Sequence, residues 1–272
     1  MFCKNKKRNV IVMIILIFIL IFVIHIKNRI SFDIMIDSIE ENNILKLERA
    51  LMIGNPNYVK GNALWDHLCE APFKKSPLQL ACYKGNFDMV KLMVEKGADV
   101  NYTKINAVYS PLICTILGQS EKDLEIVNYL IGKGADVTYR CNVERPVISW
   151  LVGSKTVSKN GLEILKRLVD AGADVKQMNY LKDACYWKHN DLIMYFIDEC
   201  DYSANGGEII QQYCRGVNKF SLDIFELLIQ NGADIYETDK DSKNAIDYLI
   251  ETTEGDTSWV DVVKSLHEKY NY

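Results

Sequence analysis

Histidine is scarce in this chain: four residues in 272, at positions 25, 67, 189 and 267. No H-E-x-x-H, no paired Cys/His set, no phosphate loop and no G-x-S-x-G is present. Eight cysteines occur, at 3, 69, 82, 114, 141, 185, 200 and 214, yet none forms a C-x-x-C pair. That excludes the common zinc and redox patterns and leaves buried apolar thiols as the expectation. Five prolines and fifteen glycines sit mostly at turns, so no long linker is evident. Acidic residues are missing from residues 1–30, which hold Lys4, Lys6, Lys7, Arg8, Lys27 and Arg29. The remainder then carries 32 − 6 = 26 basic against 36 acidic residues, a net of −10. An acidic body argues against a nucleic-acid partner.

A long apolar run is present. After the basic residues 1–9, Val10–Ile26 reads VIVMIILIFILIFVIHI, without Asp, Glu, Lys or Arg. As a helix it covers about 25 Å, near the lower limit for a bilayer core. No small-residue cleavage pattern follows, which favours a retained signal anchor over a removed signal peptide. Four basic residues precede the run and two follow it, which predicts a cytoplasmic N-terminus with the body outside the cytoplasm.

The body is organised around Ser76–Asn101, SPLQLACYKGNFDMVKLMVEKGADVN. Pro77 suits the first turn of a helix, where its missing N–H is not needed. Leu78, Leu80, Ala81 and Cys82 form one small apolar face, and Gly85-Asn86 breaks that helix. Phe87, Val90, Met93 and Val94 mark a second helix, which Gly97 stops. Two such helices cannot cover their own apolar faces. Like units are present: Gly-Ala-Asp recurs at Gly97, Gly134, Gly172 and Gly232, at separations of 37, 38 and 60. Such periodicity predicts stacked repeats.

The stretch resembles the ankyrin repeat, whose pattern is roughly TPLHLAxxxGHxEIVKLLLxxGADVN. The matching residues are Ser76, Pro77, Leu78, Leu80, Ala81, Gly85, Asn86, Val90, Lys91, Leu92, Gly97, Ala98, Asp99, Val100 and Asn101. Further units are read at 110–138, 145–176, 179–203, 207–236 and 242–270, preceded by a degenerate helix pair over 32–57. The fifth, at 179–203, lacks the Gly-Ala-Asp and is the expected weak point. The expected architecture is all-α: one transmembrane helix over 10–26, then an ankyrin-repeat solenoid over 32–272. About seven helix pairs with short β-hairpin loops make up that solenoid, and its end units serve as caps.

The resemblance implies structural roles for residues that otherwise suggest chemistry. Asp99, Asp136, Asp174 and Asp234 would order the turn before each hairpin, and His189 would bond between loops. No metal site, cofactor or catalytic residue is expected. The resemblance also implies a non-catalytic scaffold that binds another protein through its concave face and hairpin tips. The candidate contacts projected from it are Trp65, Tyr83, Lys84, Tyr102, Tyr109, Tyr139, Tyr186, Trp187 and Tyr236. The partners expected are a protein and, through residues 10–26, a lipid bilayer; the body is expected to be monomeric. A second class stays open, a tethered inhibitor or immunity-type protein that neutralises a toxin or enzyme at the membrane.

Overall fold

A computed structural model describes residues 2–59, 76–103, 109–141, 144–206, 208–216, 220–252 and 258–270. Among the described residues there are fourteen helices, and the sole β pairing is an isolated bridge between Arg140 and Pro146. The fold is that of an ankyrin-repeat solenoid, helix pair upon helix pair. Among the described residues, the hairpins expected between repeats amount to that one bridge and to turns. The chain divides into two compact units, residues 1–136 and 137–272.

The first unit opens with α1, Phe2–Glu40, and α2, Ile44–Ile53. The apolar run and the first repeat helix were expected as separate elements, yet α1 is one helix of 39 residues. Its polar stretch Lys27-Asn28-Arg29 contains no Pro or Gly, so nothing there interrupts the hydrogen-bond ladder. Val10–Ile24 stand exposed, whereas Met35 and Ile39 are buried against the repeats. Chain reversal comes at Asn42, with φ at 54°, and the Asn43 side chain caps α2 by accepting from Lys46 N (3.0 Å). Ser31 fastens the two helices, its hydroxyl donating to the Ala50 carbonyl at 2.7 Å.

Next come α3, Pro77–Lys84, and α4, Phe87–Glu95. Ser76 and Gln79 form a reciprocal capping box at the start of α3, with Pro77 in its first turn. Gly85 ends α3 in the left-handed conformation, and the Asn86 side chain caps α4 at Met89 N (3.2 Å). Leu78, Ala81 and Cys82 of α3 pack with Met89, Val90 and Met93 of α4. Each buried Leu or Met contributes about 1.5–3 kcal/mol. The third pair is α5, Pro111–Gly118, and α6, Asp123–Gly132. Ser110 caps α5, again with a proline in the first turn. Neighbouring inner helices touch so closely that a Cβ on Gly118 would lie 2.2 Å from the Tyr83 carbonyl oxygen.

The second unit holds α7, Val147–Val152; α8, Gly161–Asp170; α9, Tyr180–Trp187; and α10, Asn190–Asp198. It continues with α11, Ile209–Arg215; α12, Leu222–Gln230; α13, Ala245–Thr252; and α14, Ser258–Tyr270. The inner helices α9 and α11 repeat the close approach, with a Cβ on Gly216 falling 2.2 Å from the Tyr186 carbonyl oxygen. Helix α14 buries Val263 and is pinned to α12 at Glu226. That carboxylate accepts from Lys269 Nζ (3.0 Å) and from the Tyr270 hydroxyl (2.6 Å). All six cysteines whose state is described, at 82, 114, 141, 185, 200 and 214, are buried thiols outside any disulfide. Burial pushes the Cys82, Cys185 and Cys214 thiols well above their ordinary pKa, which keeps them unreactive.

Candidate partner-binding surface

Each repeat presents a turn built by its own sequence, and the turns are tied to one another. Asp99 Oδ1 accepts from Asn101 N (2.9 Å), Asp174 Oδ1 from Lys176 N (2.8 Å), and Asp234 Oδ1 from Tyr236 N (2.9 Å). These are turn-forming bonds of a short polar side chain to its own backbone. Asn55 does the same for Asn57 in the first repeat (2.8 Å). A ladder then crosses between repeats. Asn57 Nδ2 donates to Gly97 O (2.9 Å) while its Oδ1 accepts from Asp99 N (2.7 Å). Asn101 repeats both bonds one step on, to Gly134 O (2.8 Å) and from Asp136 N (2.7 Å). Sequence reasoning missed this ladder. Its signal was an Asn at one register, two residues after Asn55 and after Asp99.

Tyr102 and Tyr109, on either side of residues 104–108, are held by Gln79. Gln79 is buried; its Oε1 accepts from Ser76 N (2.6 Å) and its Nε2 donates to the carbonyls of Tyr102 (3.2 Å) and Tyr109 (2.5 Å). One amide thus ties Tyr102 to Tyr109. Gln79 stands where the ankyrin pattern has His.

The candidate contact residues divide sharply. Tyr102 is 4% exposed and packs with Phe32 and Val59, so it belongs to the core, not to an open surface. Trp65 lies outside the described residues. Tyr109 and Tyr139 are half-buried. Tyr83 is 41% exposed at the end of α3, and Lys84 beside it pairs with Glu40 at 2.7 Å. Lys84 borders a cleft of about 600 Å³ lined by Glu40, Asn86, Asp88, Lys122 and Glu125. In the second unit Tyr186 and Trp187 meet edge to face, centroids 4.9 Å apart, at the end of α9. Both are half-buried. Tyr236 is 50% exposed and stands edge-on to His267 at 5.2 Å. His267 Nε2 lies 3.2 Å from Asp234 Oδ1.

His189 has the loop-bonding place that the resemblance implied. Its Nε2 sits 2.8 Å from the Ser154 carbonyl, bridging the turn before α10 to the turn after α7. Burial holds its imidazole below the usual pKa. Asn86 occupies the same register in the first unit and likewise bonds back to Asn42. Beside His189 is a cleft of about 430 Å³ lined by Lys155, Lys159, Lys188, Asn190 and Asp191. Lys188 is spent on the Gly216 carbonyl (2.9 Å), and burial lowers its pKa. The Gly153-Ser154-Lys155-Thr156 stretch forms the turn after α7. Among the described residues no group of three His, Cys, Asp or Glu could hold a metal ion.

The repeating caps, the ladder and the paired helices define a helical-repeat scaffold. Ankyrin repeats are present: the family model "Ankyrin repeats (3 copies)" matches residues 41–141. An ankyrin repeat protein of Rickettsia felis is 29% identical over 161 residues, covering 55% of this chain and 70% of that protein. The relatives matched in this way are spanned over 13% to 70% of their own length. Among solved structures, the human ASB11 ankyrin repeat domain superposes with a TM-score of 0.64 at 19% identity, covering 86% of this chain and 96% of that domain. A chain from the Bdellovibrio bacteriovorus predatory endopeptidase Bd0816 in complex with immunity protein Bd3460 gives a TM-score of 0.53 at 20% identity. It covers 71% of this chain and 97% of that one. Ankyrin repeats are typically protein-interaction modules without catalysis. Helix α1 is long and apolar enough from Val10 onward to cross a membrane, a property that membrane anchors and signal sequences share.

Proposed function

We propose that this chain is a membrane-anchored ankyrin-repeat scaffold that binds another protein and catalyses nothing. The anchor is residues 10–26, with the N-terminus in the cytoplasm and the repeats outside it. One observation supports this reading above others: an exposed apolar helix runs without a break into the first repeat. Fifteen consecutive apolar residues, Val10–Ile24, kept in water would cost far more than any surface helix tolerates, and a bilayer removes that cost. In the second unit the binding surface centres on the edge-to-face pair Tyr186 and Trp187, with Tyr139 and Tyr236 as further contacts; in the first unit the contacts are Tyr83, Lys84 and Tyr109. Half-buried aromatics give large contact area at low entropy cost, which is why they dominate interfaces.

Zero-length crosslinking in intact membranes, with wild type and Trp187→Ala side by side, tests the scaffold. The variant is expected to lose the crosslinked partner while unfolding at nearly the same denaturant concentration. A large loss of stability with unchanged crosslinking would defeat the assignment.

A second reading, a tethered inhibitor, is favoured by the net charge of −10 outside residues 1–30. An acidic scaffold suits a basic toxin or enzyme and would associate with it quickly at low salt. The complex that contains immunity protein Bd3460 offers a fold precedent for such use. This reading expects a tight one-to-one complex whose association rate falls steeply with ionic strength.

A further inference from the structure

We infer that the membrane-proximal end of the first repeat lies in the lipid headgroup layer, so that the repeat itself, and not only the anchor, is a lipid-binding surface. This rests on the reading of α1 as an anchor. The argument is one of height above the bilayer core. The apolar run ends at Ile26. Helix α1 continues without a break, so Asn28 stands about 3 Å and Ile30 about 6 Å beyond that point. The headgroup layer on one side of a bilayer is about 5–8 Å thick.

Helix α2 runs back down beside this segment. The Ser31 hydroxyl holds the Ala50 carbonyl, and Asn28 Oδ1 accepts from Asn55 N at 3.1 Å. Tyr58 lies against the same stretch of α1, its ring edge-to-face with His25 at 5.8 Å and with Phe32 at 6.1 Å. Met52 and Ile53 come just before Gly54, which packs against the Ser31 side chain, so they stand about level with Ser31 and Phe32. They are 70% and 47% exposed, and Ile30 is 55% exposed. In water this cluster has no reason to be apolar; in the interfacial layer it has.

Charge points the same way. Residues 27–31 and 49–59 contain Lys27, Arg29 and Arg49 and no Asp or Glu. They form a basic collar on an otherwise acidic body, matched to lipid phosphates. The same three cations oppose a second copy of the chain docking on this face. His25, at the end of the apolar run, suits the interface, where a ring with a polar edge is at home.

The test uses the full chain in vesicles of mixed neutral and anionic phospholipid, with a diazirine-bearing residue placed singly at 18, 45 or 52. Phe18 lies within the apolar run. Leu45 is as exposed as Met52 but about 10 Å farther along α2. The expected result is phospholipid adducts at 18 and 52 and none at 45. Adducts at 18 but none at 52 would overturn this inference and leave the anchor standing. A chain-to-chain adduct at 52 would overturn it in favour of a dimer face. No lipid adduct at 18 would overturn the anchor and, with it, this proposal.

Discussion

The second repeat, 76–101, and the fifth, 179–203, perform the same tasks with different residues. In the second, Ser76 caps the inner helix and Gly97, at φ 89°, turns the chain after the outer one. In the fifth, Asn179 caps α9 by accepting from Lys182 N (3.2 Å), and the non-glycine Asp201 takes up positive φ at 52°. Asn101 ties the second repeat onward through its amide. Where the fourth repeat should tie to the fifth, Lys176 stands at that register and its ammonium donates to the carbonyls of Cys200 and Asp201. The Tyr202 hydroxyl reaches back to the carbonyls of Val175 and Met178. Its ring lies under Lys176 Nζ at 4.6 Å, and burial pushes its pKa up to about 12. The fifth repeat therefore replaces a small-residue turn with an aromatic one. Tyr180 stacks on Phe196, and Phe196 meets Tyr202 at a tilt, with centroids 6.2 and 5.3 Å apart. The lesson is that departure from the repeat pattern is not the same as loss of packing.

That comparison can be broken most strongly at Phe196, which is fully buried at the centre of the aromatic series. Phe196→Ala should cost about 3–5 kcal/mol in denaturant unfolding of the full chain in detergent. Met93→Ala at the same register of the second repeat should cost about 2–5 kcal/mol. A much smaller loss at Phe196 would restore the fifth repeat as the loose one.

The close approaches sharpen the comparison. Gly118 faces the second repeat and Gly216 the fifth, each with the same 2.2 Å clearance to a carbonyl oxygen. Gly118→Ala and Gly216→Ala should each cost about 1–3 kcal/mol, because backbone must move to admit the methyl group. Unequal losses would mean that the two inner-helix contacts are not equivalent after all.

Polar anchors should separate the repeats. Gln79→Ala strands the carbonyls of Tyr102 and Tyr109 and should cost about 1–3 kcal/mol. Lys182, one turn into α9 like Gln79 in α3, forms only a part-exposed pair with Glu208 at 2.8 Å. Lys182→Ala should cost less than about 1 kcal/mol. Thermal unfolding of the two variants under one set of conditions decides between them.

The smallest effect is a pH dependence. The folded state holds the His189 pKa below its unfolded value of about 6.5. The unfolded chain then binds the proton more readily. Stability from this site is full above that pH and falls as pH drops through it toward the folded pKa. His189→Asn, which installs the residue found at Asn86, should flatten that slope. An unchanged slope would locate the titration elsewhere.

Much of this fold is legible in the sequence, because the repeat signals are local. Pro77 and Pro111 open helices, Gly85 and Gly97 end them, and the Gly-Ala-Asp triplets keep register. What was not legible depends on neighbours in space. Tyr102 reads as a finger aromatic, yet Phe32 and Val59 enclose it. Lys176 and Tyr202 look like surface residues, yet they rebuild the missing ladder. The run Lys27-Asn28-Arg29 reads as the flank of an anchor, yet the helix passes through it because no residue there stops it.

The most direct test of the central claim is protease protection on intact cells expressing the chain with a C-terminal tag. The account predicts that external protease removes the tag without lysis, and that the chain stays with membranes after alkaline carbonate washing. A tag protected until lysis, or a chain released by carbonate, would contradict it.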